Sequence, residues 1–429
     1  MQRKNRRLLL LLTAVLLVGG CKKTREEVRV PAIGPGTVFG EYTTDARTEY
    51  MRVDTAVISF RQEYQENGGT DHGNVGYTGI TLDTVSGKQL GLKDLLQSKV
   101  KPETFYSALA ERCMHKAKEK YGEELFENAE ALIRESIGEE ANWYLDAAGL
   151  TLIFHPHETG SDVPGTVFIN LPYTELTEML KPEYTGLLGE GSAVLPIGAA
   201  AQIDLSEGMT QEVFLDSRVL DEEVWSTRIT IRAGEQEKIL DGIATVCEAR
   251  IIRQASGDSF LVFSVDMASE DYVTYVYELT EGTLQKRTET GVSSRLVSGY
   301  VNTEILRLET RIDLMGTYHT EVDYRLYEDG SLEQLTQIYQ LKNDAAWARL
   351  TTTKELPVVV DGTETLLPAG SQIRITATDQ NGTAWFREDA AGIEGEIHYT
   401  RGDTENSSWP IYIDDVEETE YFEMLPYAG

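Results

Sequence analysis

Six histidines occur in 429 residues, and three of them fall in two short stretches. One is Gly68-Gly69-Thr70-Asp71-His72-Gly73, and the other is Phe154-His155-Pro156-His157-Glu158. Imidazoles two residues apart in an extended segment point the same way. With Asp71 and His72 from the other loop, His155 and His157 would offer a zinc ion nitrogen and oxygen ligands. The plainer reading is that His72 satisfies the backbone of its glycine-rich turn and the other two are ordinary loop residues. Nothing in the sequence brings the two loops to ligand distance, so no metal and no cofactor are expected. Other chemistries lack their signatures: no nucleophile elbow, no zinc-protease helix, no Walker loop and no dinucleotide fingerprint occurs. Carboxylate pairs for glycoside hydrolysis are distant in sequence, and among 71 acidic residues a chance pair carries no weight. No catalytic residue is assigned, and the chain is expected not to be an enzyme.

These loops need elements to hold them. In residues 57–66, Ile58, Phe60, Gln62 and Tyr64 alternate as one face of a half-buried strand. The 68–73 run then turns the chain through positions that tolerate left-handed backbone. In the return strand Val75 and Tyr77 share one phase while Ile80 and Leu82 share the other, which predicts a bulge at Gly79. A helix is predicted over residues 102–121, with Phe105, Leu109, Cys113 and Ala117 on one stripe, and it resumes over 123–137 after Gly122. Asn142–Leu145 and Leu150–Phe154 read as a hairpin around Asp146-Ala147-Ala148-Gly149. Val167, Ile169 and Leu171 alternate in a further strand, and 173–180 looks like a closing helix. A sheet with helices on one face is the simplest layering.

The stretch from residue 57 to about Tyr173 resembles the extracellular domain of lysozyme-sensing anti-sigma factors, a module also found beside some peptidoglycan deacetylases. The likeness is carried by the 68–73 loop (one residue longer than the family's), Leu82-Asp83, Ser86-Gly87-Lys88 and Leu90-Gly91-Leu92-Lys93-Asp94-Leu95. It covers under a third of the chain. The family's aromatic-x-Pro-Tyr-Glu run is matched by Phe154, Pro156 and Glu158, with His157 where Tyr is usual. The resemblance implies a ligand-contacting surface, with Asp71, His72, Pro156, His157 and Glu158 as binding candidates. The implied partner is a lysozyme-like protein or a peptidoglycan fragment. The anti-sigma factors grip a sigma factor through a cytoplasmic segment. Only residues 1–7 precede the first apolar run here, so no sigma-factor partner is expected. The deacetylases' Asp-Asp metal motif is missing.

Residues 1–20 read as a lipoprotein signal peptide. Arg3, Lys4, Arg6 and Arg7 precede an apolar run at 8–18 that is short for a bilayer span, and Val18-Gly19-Gly20-Cys21 approaches a cysteine as a bacterial lipobox does. Cys21 is the expected lipidation site, with an ordinary secretory leader or an uncleaved anchor as the alternatives. The expected location is extracytoplasmic, lipid-anchored to the bacterial cell membrane, with no membrane contact beyond that anchor. A formal net charge of −32 repels nucleic acid, which is not an expected partner, and steers basic partners toward the surface. The same acidity also serves simple solubility.

The expected fold class is α+β: an N-terminal antiparallel sheet with helices on one face, then an all-β meander domain and a small SH3-like β-barrel. The boundaries are 21–50 for a tether and first strand, 51–190 for the α+β domain, 200–350 for the β domain and 351–429 for the SH3-like domain. The last assignment resembles bacterial SH3-like modules at 367–375, at Gly382-Thr383-Ala384-Trp385-Phe386 and at Gly392-Ile393-Glu394-Gly395-Glu396-Ile397, where a Glu replaces the usual Trp. Asp204-Leu205-Ser206-Glu207-Gly208 is at best a degraded calcium loop. Cys113 and Cys247 read as two buried free thiols. The function expected is that of a cell-surface lipoprotein acting as a non-catalytic binding protein. A wall-active hydrolase and a structural envelope scaffold are the alternatives.

Overall fold

A computed structural model of the chain describes residues 43–67, 74–156, 158–159, 165–187, 189–206, 209–221, 226–242, 244–267, 271–280, 283–290, 294–342, 348–402 and 410–427. Cys21, Asp71, His72 and His157 lie outside the described residues, as does the 205–208 run's Glu207-Gly208.

The fold is mostly β, not α+β. Strands make up 53% of the structure and helices 14%, and the described residues hold three α-helices: α1 (Pro102–Tyr121), α2 (Ala129–Ser136) and α3 (Tyr173–Leu176). The helical expectation fails mainly in length. After Gly122 the chain makes a 3-10 turn before eight residues of α2, and the closing helix stops after four. The first described strand begins at Thr43, within the 21–50 segment assigned to a tether and first strand.

The first strands are β1 (Thr43–Val53), β2 (Val57–Asn67) and β3 (Asn74–Asp83), and β4 (Trp143–Leu145), β5 (Gly149–Phe154) and β6 (Val167–Pro172) follow the helices. β7 (Gly191–Val194) lies between the 51–190 and 200–350 segments, followed by β8 (Ala200–Ser206), β9 (Met209–Asp221), β10 (Ser226–Ala233) and β11 (Gln236–Gly242). Next come β12 (Thr245–Arg253), β13 (Ser259–Asp266), β14 (Tyr272–Thr280) and β15 (Thr283–Glu289). β7 pairs with both β1 and β12, so one eight-stranded sheet runs in the order β15-β14-β13-β12-β7-β1-β2-β3.

The helices do not cover the first three strands. α1 and α2 pack on the small sheet of β4, β5 and β6 through Phe105, Leu109, Cys113, Ala117 and Ile133, and β4 crosses β2 and β3. The crossing also removes the expected bulge. β2 and β3 pair without a register shift from Val57↔Asp83 to Glu66↔Asn74. A Cβ on Gly79 would lie 2.1 Å from the Trp143 carbonyl oxygen. Only small residues fit under β4, so Gly79 and Thr81 take the inner face and Ile80 and Leu82 turn to the other. The apolar phase changes while the strand stays regular.

β8–β11 form a four-stranded meander whose inner face meets β12–β14 through Val213, Leu215, Ile229, Ile231, Leu261 and Phe263. Residues 294–334 supply a second four-stranded sheet that meets the opposite face of β12–β14. Covered on both sides, β13 carries a run of four apolar residues, Phe260 to Phe263, and seven of its eight positions are buried.

The C-terminal region is not a closed barrel among the described residues. Its sheet is open, with Thr363–Leu367 at one end and Tyr339–Gln340 at the other. Closure fails because the strands after Tyr399 pair with one another, Thr400–Arg401 with Ile411–Ile413 and that with Val416–Glu417, instead of bridging those ends.

Candidate functional site

The 155–158 stretch is a turn clamped by its own last residue. The Glu158 N–H donates to the His155 carbonyl at 3.0 Å, and the His155 N–H donates to Glu158 Oε2 at 2.6 Å. Phe154 is buried in the core of the helical region, and Pro156 between them is half-buried. Of the three matched residues, Phe154 anchors the turn, Glu158 closes it and Pro156 is left to present a surface.

Asn142 fixes where this turn sits. Its Nδ2 donates to the Tyr77 carbonyl at 2.8 Å, and its Oδ1 accepts from the Gly79 N–H at 2.8 Å. One amide thus supplies edge strand β3 with the pairing that a neighbouring strand's peptide group would give. The same Nδ2 lies 3.4 Å from His155 Nε2. The turn is therefore held against the strand that leaves the 68–73 connection. Among the described residues no group of His, Cys, Asp or Glu forms a metal-ligand cluster.

Next to Tyr77 lies an aromatic and cationic platform. The Tyr77 and Phe168 rings meet edge to face at 5.2 Å. The Arg61 guanidinium lies 5.2 and 5.1 Å from their centroids and pairs with Glu49. Burial works against the Arg61 charge, but Glu49 together with Tyr144 and Tyr77 outweighs it and raises the pKa.

Phe168 also lines a cleft of about 880 Å³ between the end of α1, strands β5 and β6, and residues 196–200 and Arg218. Lys116, Lys120 and Tyr121 come from α1, and Thr151 and Asn170 form its floor. Lys116 reaches Glu175 at 3.3 Å, Lys120 sits 5.1 Å from the Tyr121 centroid, and the exposed Arg218 pairs with Asp216.

Under that floor is a fully buried polar network. Asp146, in the β4–β5 turn, accepts from the Ala148 and Gly149 N–H groups at 2.9 Å, from Thr151 Oγ1 at 2.6 Å and from Asn170 Nδ2 at 3.0 Å. Burial pushes its carboxyl up to about 6 against those donors. The Tyr173 hydroxyl donates to the Asp146 carbonyl at 2.9 Å and accepts from Arg52 Nη1 at 2.9 Å. Arg52, fully buried, also donates to Asp54 Oδ2 at 2.8 Å and to the Tyr184 and Glu183 carbonyls at 3.0 and 3.2 Å. Burial opposes its charge, and Tyr173 and Asp54 outweigh that and raise its pKa. The network ties β1 to the helical region.

None of the cleft or network residues was singled out by motif. The available signals were a basic stretch, Lys116, Lys118 and Lys120, in an acidic chain, and a buried-type turn at Asp146-Ala147-Ala148-Gly149.

Residues 93–174 match the model of a family described as a protein of unknown function, DUF3298. Two solved structures are similar over parts of their length. A member of that family from Bacteroides fragilis shares 22% identity with a TM-score of 0.27, over 33% of this chain and 55% of that one. A second family protein, from Pseudomonas aeruginosa, shares 16% identity with a TM-score of 0.26, over 34% of this chain and 65% of the other. The chain thus spans under two thirds of the length of either. No curated protein matches the chain.

Proposed function

We propose that the chain is a cell-surface lipoprotein, anchored through Cys21, that binds a lysozyme-like protein or a cell-wall fragment without catalysis. The observation that supports this reading is the 155–158 turn. It is closed by Glu158, lies against Asn142, which pairs with the strand leaving the 68–73 connection, and leaves Pro156 half-buried and partly accessible. A rigid loop beside an aromatic–arginine platform gives contact area at low entropic cost. The net charge of −32 favours encounter with a basic protein.

The test is calorimetric titration of the full chain, held in mild detergent, with a c-type lysozyme at low and at high salt. Micromolar or tighter binding that persists at high salt, and that weakens at least tenfold in Pro156→Gly, is the expected result. Binding that vanishes at high salt would reduce the interaction to charge attraction between an acidic and a basic protein. No binding in either buffer would overturn the lysozyme arm.

A further inference from the structure

We propose that the cleft between α1, β6 and Arg218 is a second binding site, specific for a small saccharide that carries a carboxylate. This site shares Phe168 with the Tyr77 platform but is lined by none of the described residues of the 155–158 turn.

Charge is the first reason. The chain carries 39 Lys and Arg against 71 Asp and Glu, yet the cleft is lined by Lys116, Lys120 and Arg218 with Glu119 as its one acidic lining residue. Glu175 and Asp216, which pair with Lys116 and Arg218, bring the cleft close to neutral, so it is a break in an otherwise acidic surface. These cations come from separate elements, α1 and β9, so no amphipathic pattern of one helix explains their convergence. Lys116 and Arg218 are held in place by Glu175 and Asp216, so an incoming carboxylate shares these cations with resident carboxylates, and the exposed Lys120 beside the Tyr121 ring is its most available partner.

Shape and chemistry of the walls are the second reason. Tyr121 and Phe168 offer half-buried ring surface, which suits the apolar face of a sugar ring. Asn170 directs its Nδ2 to Asp146 and Thr151, so its carbonyl oxygen is the end turned to the cleft, an acceptor for a hydroxyl or acetamido N–H. A volume of about 880 Å³ falls in the range of small-molecule sites and admits a ligand of disaccharide size. The buried Asp146–Thr151–Asn170 network holds that floor in one arrangement.

The same chemistry belongs to muramyl fragments of cell wall and to uronic-acid sugars. Calorimetric titration of the full chain therefore uses three probes: muramyl dipeptide, a digalacturonate and neutral chitobiose. We expect submillimolar binding of at least one acidic probe, chitobiose at least tenfold weaker, and at least a tenfold loss in Lys120→Glu/Arg218→Glu. Both changed residues are solvent-exposed, so the fold is retained, and binding of c-type lysozyme serves as the control for the turn surface. Binding of muramyl dipeptide alone assigns the source as cell wall, and binding of digalacturonate alone assigns it as uronic-acid sugar. Chitobiose binding as tightly as the acidic probes, no loss on charge reversal, or no acidic probe binding below millimolar concentration would each overturn the proposal. Lysozyme binding can fail while this site binds, and the reverse, so the two readings are separable.

Discussion

Arg52 provides the sharpest test of how the helical region is joined to the large sheet. Its guanidinium is wholly buried and makes four hydrogen bonds, to Asp54, Tyr173 and the carbonyls of Glu183 and Tyr184. In Arg52→Ala the Asp54 side chain, also fully buried, keeps the Ala56 and Val57 N–H groups but loses its countercharge. Two carbonyls and the Tyr173 hydroxyl lose a donor as well. Breaking a buried pair from one side costs about 3–5 kcal/mol. Because the chain has several cores, a single unfolding midpoint is the wrong readout. Hydrogen exchange read peptide by peptide is the right one, since local opening is measured where the link lies. At about 1.4 kcal/mol per tenfold, amides of β1 and of residues 173–184 should exchange roughly a hundred- to several-thousand-fold faster, with those of the C-terminal sheet unchanged. Arg52→Met/Asp54→Asn, which leaves no buried charge, should recover most of the loss. An Arg52→Ala chain whose 173–184 peptides exchange within threefold of the parent would refute the link.

Three further outcomes follow from the same geometry. Asn142→Ala removes the amide that pairs with both Tyr77 and Gly79, so it should cost about 1–3 kcal/mol and speed exchange at the Gly79 amide; an unchanged rate there would contradict the edge-capping role. Burial raises the Asp146 carboxyl to about 6 and that of Glu418 to about 7. In the window from about pH 4 to 7 the folded chain holds protons that the unfolded chain has released, so stability falls as pH rises, by up to about 3 kcal/mol from Asp146. Hydrogen exchange of the peptides around Asp146, corrected for intrinsic rates and followed from pH 4 to 7, should show a shallower loss of protection in Asp146→Asn, and an identical slope would remove Asp146 as a source. Cys113 is buried and free, and Cys247 is surface-exposed and free. Burial pushes the Cys113 thiol up to about 12, and partial desolvation of the sulfur, with Asp266 adding, raises that of Cys247 although the residue as a whole is exposed. Native iodoacetamide labelling at pH 8 should be slow at Cys247 and undetectable at Cys113, with both modified at once in denaturant.

Local pattern was legible where one face of an element meets one core. The stripe Phe105, Leu109, Cys113 and Ala117 became the buried side of α1, and Val167, Ile169 and Leu171 became the inner positions of β6. Pattern misled where a third element intrudes. The phase change at Gly79 came from β4 lying on the backbone, not from a bulge. Three features were missed outright for a common reason. β7 completing the eight-stranded sheet, Arg52 reaching Tyr173, and Arg218 meeting Lys116 and Lys120 across a cleft are all contacts between residues far apart in the chain, and no local periodicity encodes them. Cys247 was expected inside because its strand is apolar, but it sits at an exposed position of β12. The α+β assignment counted helical stripes and undercounted strands.

We propose that the turn at Pro156 meets a lysozyme-like partner. Calorimetric titration with c-type lysozyme at low and high salt, on the parent chain and on Pro156→Gly, tests it most directly. Salt-resistant binding weakened at least tenfold by the substitution is the predicted result. Absence of binding, or binding indifferent to the substitution, would contradict it.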